Sequence, residues 1–368
     1  MNFLKYPGGK ERELKFIKPI LPEFKNYYEP FVGGGSVYLD IGGAEHYYIN
    51  DRSDDLINLY SCIQNQDRNF SMILNNFQYD WQLIGETVER LSSRILTEYS
   101  RYRWNCGLGG MPLLTRNKSW RSLKLTTDYS CDFVAQAEQS VNSKLKRMLE
   151  LEQKKGLLSD HDILQNIEGA LKAAFYTLLR DMYNDPTLRY EQFKAALYLF
   201  LRETCYSSMF RFNSKGEFNV PYGGVSYNNK KLDARLDFYD SEIVQEKMKN
   251  TTLSCADFEE FLDNCKPEVS DFIFLDPPYD SDFSTYDQNV FEKQDQIRLA
   301  TYLLEKCPCR FLMIIKNTDF ISNLYSVGAK CANGMLLNVK PFFHQYQVSF
   351  KNRNNKNTEH LLIGNFDF

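Results

Sequence analysis

The spacing of apolar positions predicts an α/β chain in which short buried strands alternate with helices. Several short runs of bulky apolar residues have the length of strands rather than of helices. A polar stretch at residues 352–357 separates the last two runs and is typical of a hairpin turn. Strands are predicted at residues 26–32, 47–50, 272–275, 311–315, 336–339 and 360–363.

The spacing changes to that of helices in the middle of the chain. Residues 62–100 and 145–183 carry apolar side chains at intervals of three and four positions, the period of a helix with one buried face. A glycine that follows two lysines, Gly156, predicts a helix end. We therefore expect a sheet built from residues 1–61 and 236–368, interrupted by a mainly helical insert, residues 62–235.

Composition indicates ample core material and no strong attraction to polyanions. The chain has 368 residues, of which 43% are hydrophobic and 15% aromatic, enough for one large or two ordinary domains. The net charge of −4 argues against bulk affinity for nucleic acid, so DNA binding would have to depend on local patches. We recognise no stretch long enough to span a membrane and no secretory leader.

The cysteines and histidines do not have the spacing of metal ligands. Nine cysteines and four histidines are present, and one close pair of cysteines, Cys307 and Cys309, stands alone. We therefore expect reduced, mostly buried thiols and no bound metal.

A glycine-rich turn follows the first predicted strand, and an acidic residue follows the second. Gly33, Gly34 and Gly35 would let the backbone approach a ligand closely before a helix begins near Val37. Asp51 ends the second strand, where an acidic side chain is placed to bind ribose hydroxyls. Together the two features predict a nucleoside-containing cofactor, with nicotinamide dinucleotides and S-adenosylmethionine both open.

The most specific local motif follows the apolar strand at residues 272–275. The strand delivers Asp276 to its carboxyl end, and Pro277 and Pro278 stop it because proline lacks the N–H group that a ladder needs. Tyr279 adds a flat aromatic face. A carboxylate and a carbonyl beside a stacking surface suit a planar group that carries an NH2, such as a nucleobase amine.

These motifs, taken in order, resemble those of the Dam-type DNA adenine-N6 methyltransferases. The resemblance covers roughly residues 1–62 and 195–368. It implies a Rossmann-like methyltransferase sheet with helices on both faces and an inserted target-recognition domain. The segments that carry it are 5–10, 31–37, 205–223, 276–279 and 352–365, together with Asp51.

By this resemblance the cofactor is S-adenosylmethionine, with the glycine turn beneath its methionine part and Asp51 on its ribose. Asp257 and Phe258 match the segment that holds the cofactor's adenine, and Asp257 is equally suited to cap a helix. The residues implied to bind the cofactor are Tyr6, Lys10, Phe31, Gly33, Gly35, Asp51, Asp257, Phe258 and Asp276.

The implied reaction is methyl transfer to adenine N6 in double-stranded DNA after the base has left the helix. The catalytic residues would be Asp276, Pro277, Pro278 and Tyr279. The Asp276 carboxylate and the Pro277 carbonyl oxygen would accept both N6 hydrogens, and Tyr279 would stack on the base. The next segment, residues 280–296, is either a loop that closes over the flipped base or a plain surface connection.

The segment 205–224 contains the implied DNA-reading hairpin, which makes duplex DNA the expected partner. Arg211 would read a guanine, which makes GATC a candidate target, and the alternative is that Arg211 and Asn213 hold only the turn or a phosphate. Ser207 and Ser208 stand where the family often has Asn-Gly, and Gly224 stands where a basic residue is common. The residues implied to contact DNA are Lys5, Tyr206, Ser207, Met209, Arg211, Asn213 and Pro221.

The long insert is not explained by the resemblance. Residues 101–124 are basic, with interleaved aromatic residues and glycines, which suits either a nucleic-acid contact or a solvated loop. Adenine methylation of another site or nucleic acid stays open, and so does a non-catalytic DNA-binding or regulatory protein. The resemblance also raises a restriction endonuclease as a partner, and a prokaryotic or phage-encoded protein of the cytoplasm, associated with the nucleoid.

Overall fold

The computed structural model describes residues 3–6, 9–11, 13–105, 125–126, 130–279, 291–345 and 357–368. These residues form two units, of which the first comprises Met1–Gln64 and Phe238–Phe368 and the second comprises Asn65–Asp237. The predicted turn before residue 357 and most of the predicted loops at 101–124 and 280–296 lie outside the described residues.

The first unit is built on a seven-stranded sheet. Its strands are β1 Asn26–Glu29, β2 His46–Asn50, β3 Thr251–Ser254, β4 Phe272–Leu275, β5 Arg310–Lys316, β6 Asn338–Gln345 and β7 Asn357–Gly364. They lie in the order β3-β2-β1-β4-β5-β7-β6. The first five are parallel, and β7 runs antiparallel to both of its neighbours.

The order of the strands reverses between β1 and β4, which are neighbours in the sheet. In open sheets of this kind, ligands bind at the carboxyl ends of the strands where the order reverses. The predicted α/β sheet is therefore confirmed, and its topology marks the edge at which β1 and β4 end as the place to look for a site.

One strand was missed, and some predicted bounds differ: β1, predicted at residues 26–32, ends at Glu29. Strand β3 lies at the edge of the sheet and could not be predicted, because only Thr251 of its four residues is buried and the strand has no apolar run. The strand predicted at residues 336–339 begins instead at Asn338 and continues to Gln345. Its continuation carries Lys340, Pro341 and other residues that interrupt an apolar pattern.

The α-helices of the described residues are numbered in chain order through both units. They are α1 Leu14–Ile17, α2 Ser36–Asp40, α3 Asp54–Gln64, α4 Arg68–Arg90, α5 Ser92–Trp104, α6 Ser130–Lys155, α7 Asp160–Tyr183, α8 Glu191–Thr204, α9 Asp233–Tyr239, α10 Glu242–Lys249, α11 Phe258–Cys265, α12 Lys293–Thr301 and α13 Asp319–Leu324. A π-helical turn, Tyr302–Lys306, continues α12.

The core of the first unit lies where α11 and α12 cover β4 and β5. Alternate residues of a strand point to the same face, so Ile273 and Leu275 of β4 join Phe311 and Met313 of β5 in one buried cluster. Phe258 of α11 and Leu299 and Ala300 of α12 belong to the same cluster. Helices α11 and α12 therefore have fixed positions beside the end of β4.

Two glutamine side chains join the chain segments on either side of the second unit. Gln64, the last residue of α3, donates its amide to the carbonyl oxygens of Met248, at 2.8 Å, and Thr251, at 2.7 Å. Gln245 of α10 is buried and donates to the carbonyl oxygen of Ile63 at 3.2 Å. The two segments are thus bonded to each other within the first unit.

Helices make up most of the second unit. Asp67 begins α4 by accepting hydrogen bonds from the N–H groups of Asn69 and Phe70. Gly156, in the left-handed conformation at φ 93°, ends α6 as predicted, with its N–H bonded to the Glu152 carbonyl. The buried side of α4 repeats at intervals of three and four, with Phe70, Ile73, Leu74, Phe77, Trp81, Ile84 and Val88.

The described part of the chain also bears on thiols, metals and membranes. Seven of its cysteines are free, and five of these are buried, in agreement with the expectation of reduced, mostly buried thiols. Among these residues, no group of three His, Cys, Asp or Glu side chains could hold a metal ion. Nor does any described helix have the length and apolar character needed to cross a membrane.

Candidate active site

Asp276 lies at the carboxyl end of β4, where four buried residues of the strand give way to two prolines. The Asp276 side chain is 22% exposed, and Pro278 is exposed, so the end of the strand reaches the surface of the unit. The prolines carry no N–H groups that could compete for the acceptors here. Asp276 therefore presents a carboxylate at the edge predicted to bind ligands.

Lys10, from the start of the chain, binds this carboxylate directly. Its Nζ lies 2.5 Å from Asp276 Oδ2, and only 4% of its side chain is exposed. The same ammonium lies 5.3 Å from the centre of the Tyr279 ring, within the range of a cation–π interaction. Burial raises the pKa of the Asp276 carboxyl above its ordinary value, and Lys10 opposes that rise.

The glycine turn after β1 has a conformation and a neighbourhood that require glycine. Gly33 and Gly35 have φ values of 48° and 67°. A Cβ atom on Gly34 would lie 2.6 Å from the Leu4 carbonyl oxygen and 2.7 Å from the Cβ of Tyr6. The N-terminal segment therefore packs on this turn, and the two predicted cofactor motifs meet.

Asp51, at the end of β2, closes the turn from the other side. Its two carboxylate oxygens accept hydrogen bonds from the N–H of Gly33 and the N–H of Ser53, each at 3.0 Å. A carboxylate is an acceptor with two sites on each oxygen, the type of group to which a ribose hydroxyl donates. The arrangement fixes Asp51 beside the glycine turn, as the sequence predicts for a ribose-binding residue.

Asn50, which the sequence analysis did not select, joins the ends of three strands. Its side chain is buried and donates to the carbonyl oxygens of Pro30, after β1, and Ala256, after β3, both at 3.0 Å. Its oxygen accepts the N–H of Ala256 at 3.0 Å. Asn50 thereby holds the starts of the glycine turn and of the Asp257 segment at fixed positions.

Asp257 is a helix cap and also one partner of an ion pair. It accepts the N–H of Glu259 at the start of α11, which confirms the capping alternative. Arg298 of α12 binds both of its oxygens, at 2.5 and 3.4 Å. Next to it, Phe258 is buried and contacts the ring of Phe31 at 5.7 Å between centres. The ring of Phe31, which follows β1, thus pairs with the ring of Phe258, which follows β3 directly after Asp257.

Tyr279 packs against a residue that sequence reasoning missed. The buried ring of His360, in β7, lies edge-to-face with Tyr279 at 5.3 Å between centres. Gln296 of α12 donates its amide to the carbonyl oxygen of Pro278 at 2.9 Å. His360 lies far from the motif in sequence. Gln296 ends the segment 280–296, which was predicted as a loop, but residues 293–296 begin α12 and Gln296 is buried. Neither residue has a local pattern that would have identified it.

The predicted hairpin is held to the second unit by buried aromatic rings. Phe210 and Phe218 stack at 4.1 Å between centres. The side chain of Asn184 exchanges two hydrogen bonds with the backbone of Phe218, at 2.8 and 2.9 Å. The hydroxyl of Tyr176 donates to the Val220 carbonyl at 2.7 Å. The hairpin therefore has a fixed base from which its outer residues project.

The outer residues of the hairpin differ in how free their side chains are. Arg211 is exposed, whereas the Asn213 oxygen accepts the N–H groups of Lys215 and Glu217 at 2.9 and 3.0 Å. Asn213 therefore holds the turn, as the alternative interpretation expects. Tyr206, Ser207 and Pro221 are exposed, and Met209 is half-buried. Lys5, which is also exposed, belongs to the first unit.

The two departures from the family's hairpin pattern coincide with left-handed backbone. Ser207 and Ser208 have φ values of 56° and 52°, a region that Asn and Gly enter more easily than serine. Gly224 has a φ of 88° with an extended ψ, which favours glycine over a basic residue.

Comparison with known proteins identifies the family. Residues 6–89 and 126–336 match the family described as D12 class N6 adenine-specific DNA methyltransferase. The type II methyltransferase M.MjaIII of Methanocaldococcus jannaschii is 27% identical over 341 residues, which cover 88% of this chain and 87% of that protein.

Two further relatives carry related names. The DNA adenine methylase of Serratia marcescens is 26% identical over 305 residues, covering 81% of this chain and 76% of the relative. The retron Ec67 DNA adenine methylase of Escherichia coli is 33% identical over 162 residues, which cover 43% of this chain and 53% of that protein. With its family match across most of its length, the chain belongs to the D12 class of N6 adenine-specific DNA methyltransferases.

Proposed function

We propose that this adenine-specific DNA methyltransferase takes its methyl group from S-adenosylmethionine and transfers it to N6 of an adenine flipped out of duplex DNA. The observation that carries the proposal is that four adjacent strands end on the predicted site residues. The glycine turn follows β1, Asp51 follows β2, Asp257 follows β3 and Asp276 follows β4.

The residues at these strand ends fit the chemistry of the cofactor. S-adenosylmethionine supplies an electrophilic methyl group on a sulfonium. Asp51 offers a carboxylate of the kind that binds ribose hydroxyls. Asp257 Oδ2, which lies 3.4 Å from Arg298 Nη1 and 3.9 Å from Arg52 Nη1, offers an acceptor for an amine. The rings of Phe31 and Phe258 offer an apolar face for a purine.

Asp276 and Pro277 are the residues that would act on the adenine amine. The Asp276 carboxylate and the Pro277 carbonyl oxygen accept the two N6 hydrogens, which directs the nitrogen lone pair towards the methyl carbon. The N–C bond forms as the S–C bond breaks, and that bonding pair stays on sulfur. Positive charge grows on N6, so the carboxylate stabilises the transition state more than the ground state. N6 then releases one proton, for which Asp276 is the acceptor.

Lys10 and Tyr279 complete the proposed site. The ammonium of Lys10 favours the ionised form of Asp276, which is the form that accepts hydrogen bonds. Tyr279 stacks on the extruded base while the ring of His360 supports it from the side.

We assign target recognition to the second unit through its hairpin. Arg211 is exposed and can donate two hydrogen bonds to a guanine in the major groove, whereas Asn213 is committed to the turn. This division of roles supports GATC as the target to test first, with Arg211 as the guanine reader.

Sequencing that detects N6-methyladenine tests the proposal in DNA from a methylation-free host that expresses the chain. The expected result is methyladenine at one short motif, absent when the host expresses Asp276→Ala. A purified protein that binds S-adenosylmethionine but leaves duplex DNA unmethylated would overturn the proposal. Methylation at a motif other than GATC would overturn only the assignment of the target.

A further inference from the structure

Helix α12 contacts both the catalytic turn and the predicted cofactor-adenine segment from positions two residues apart. Gln296 donates to the Pro278 carbonyl at 2.9 Å, directly after the proposed methyl-transfer residues. Arg298 binds the Asp257 carboxylate at 2.5 Å, at the start of the segment that would hold the adenine of the cofactor. One helix therefore has a hydrogen bond to each half of the site.

Arg298 is the centre of the contacts on the cofactor side. Besides Asp257, it donates from Nε to Glu259 Oε2 at 3.1 Å and from Nη1 to Asp295 Oδ1 at 2.9 Å. Its guanidinium lies 5.0 Å from the ring centre of Phe258. A planar guanidinium that binds three carboxylates and covers an aromatic ring has both its position and its angle fixed. Arg298 thus fixes the first turn of α11.

Gln296 makes the matching contact on the catalytic side. The side chain is fully buried, and its amide group donates to a carbonyl in a segment where the prolines themselves provide no donor. Burial restricts the side chain to one conformation, so the hydrogen bond sets the distance between α12 and the catalytic turn.

The start of α12 is itself held in place. Glu292 and Asp295 form a capping box, in which each side chain accepts an N–H from the other residue. At the far end, the π-helical turn brings Lys306 within 2.8 Å of Glu259. The helix is therefore anchored on both sides of Gln296 and Arg298.

We propose that α12 is a positioning helix: Arg298 positions the cofactor's adenine pocket, and Gln296 positions the catalytic turn. The inference rests on the proposed function, since it assumes that Asp257 and Phe258 hold the adenine of S-adenosylmethionine. Both residues act through others and touch no substrate. Loss of Arg298 should therefore appear mainly as weaker cofactor binding, and loss of Gln296 mainly as slower methyl transfer.

Calorimetric titration of the purified full chain with S-adenosylmethionine, in the absence of DNA, tests the role of Arg298. Arg298→Gln should weaken binding by about tenfold, the scale of one hydrogen bond between charged groups. Arg298→Lys should also weaken it, because an ammonium cannot reproduce the two-pronged contact. Arg310→Gln is the matched control, because it removes an arginine at the start of β5 whose hydrogen bond goes to the Glu23 carbonyl, and it should bind the cofactor like the wild type.

Single-turnover methylation with saturating cofactor tests the role of Gln296. Gln296→Met keeps the volume and removes the donor, and Gln296→Asn keeps the amide but shortens its reach. Each should slow methyl transfer by about tenfold with unchanged cofactor affinity. Thermal unfolding identifies the variants that are folded, and the measurement on any folded one decides the result.

The possible outcomes distinguish a failure of the positioning role of α12 from a failure of the proposed function. A wild-type protein that does not bind S-adenosylmethionine would contradict the proposed function itself. Wild-type binding with equal affinity in folded Arg298→Gln would overturn the role of Arg298 alone. Unchanged single-turnover rates in a folded Gln296 variant would overturn the coupling to the catalytic turn.

Discussion

Lys10 Nζ lies 2.5 Å from Asp276 Oδ2, although 266 positions separate the two residues in the chain. The pair joins the N-terminal motif to the end of β4 and places a buried cation beside the carboxylate that is proposed to act on adenine N6. Because burial and Lys10 affect the Asp276 pKa in opposite directions, the pair sets the pH range in which that carboxylate is ionised.

Replacing Lys10 with methionine should shift the acid limb of the pH–rate profile to higher pH. Lys10 lowers the pKa of Asp276, so its removal raises that pKa, and the active ionised form is then lost at a less acidic pH. Single-turnover methylation at saturating cofactor, measured across pH, reports the shift. Lys15→Met, at an exposed position, should leave the profile unchanged. An acid limb that stays in place in Lys10→Met would refute the assignment.

The stability of the first unit should fall as pH rises from about 5 to 7.5 because of Glu29. Burial raises the pKa of the Glu29 carboxyl from 4.5 to about 8, despite the hydrogen bond from the Tyr27 hydroxyl and the charge of Lys247. Between these two values the folded state binds a proton that the unfolded state has lost, so folding loses at most about 1.4 kcal/mol per pH unit. The contribution is complete below pH 4.5 and is lost as pH rises through 8.

Denaturant unfolding of wild type and Glu29→Gln at pH 5 and pH 7.5 measures how much the Glu29 carboxyl contributes to the pH dependence of the free energy of unfolding. The variant should lose less stability than the wild type over that interval, because its side chain carries no proton to release. Lys247, whose pKa burial lowers to about 8, acts in the opposite direction but only above that pH. Glu45→Gln, at an exposed position, is the control. Equal pH dependence in wild type and Glu29→Gln would rule out the carboxyl as its source.

Glycine at position 208 should stabilise the hairpin. Ser208 has a φ of 52°, which costs a residue with a Cβ roughly 1–2 kcal/mol, whereas glycine loses about 0.5–1 kcal/mol more backbone entropy on folding. The net gain for Ser208→Gly is on the order of 0.5–1 kcal/mol in the free energy of unfolding. The matched variant Ser226→Gly, at an exposed position without positive φ, should be neutral or destabilising. A loss of stability in Ser208→Gly would contradict the conformation seen here.

Truncating Asn50 should destabilise the first unit by about 3 kcal/mol. Asn50→Ala leaves the Pro30 and Ala256 carbonyls and the Ala256 N–H without their present partner in a buried region, and each unsatisfied group costs about 1–3 kcal/mol before water or relaxation compensates. Guanidinium unfolding measures the loss. Asn250→Ala removes one exposed amide contact and should cost far less. Similar losses in the two variants would show that Asn50 does not hold the strand ends together.

Local patterns were enough to predict the residues that follow the strands. Asp276 could be assigned because an apolar run and two prolines define the end of β4 without reference to the rest of the chain. The glycine turn and Asp51 were found for the same reason, since each lies directly after a recognisable strand. Their hydrogen bond at 3.0 Å shows how close these local signals lie in the folded unit.

The supporting residues could not be predicted because their roles depend on contacts between distant segments. Asn50 lies at the end of a strand, and the residues next to it in sequence do not indicate that its side chain makes three hydrogen bonds to other strand ends. Arg298 lies on an ordinary amphipathic helix, and its spacing to Asp295 predicts only a local ion pair. Its bond to Asp257 depends on how α12 packs on the sheet, which the sequence pattern does not specify.

The hydrogen bonds of Gln64 and Gln245 make the first unit tolerant of changes in the size of the second unit. They join the two chain segments that flank the second unit, and all of the bonded atoms belong to the first unit. For a loop that is already closed, doubling its length costs only about 0.6 kcal/mol of entropy. We therefore expect the sheet to accept a recognition unit of different size or origin between residues 64 and 238, so that target choice can diverge while the methyl-transfer machinery is conserved.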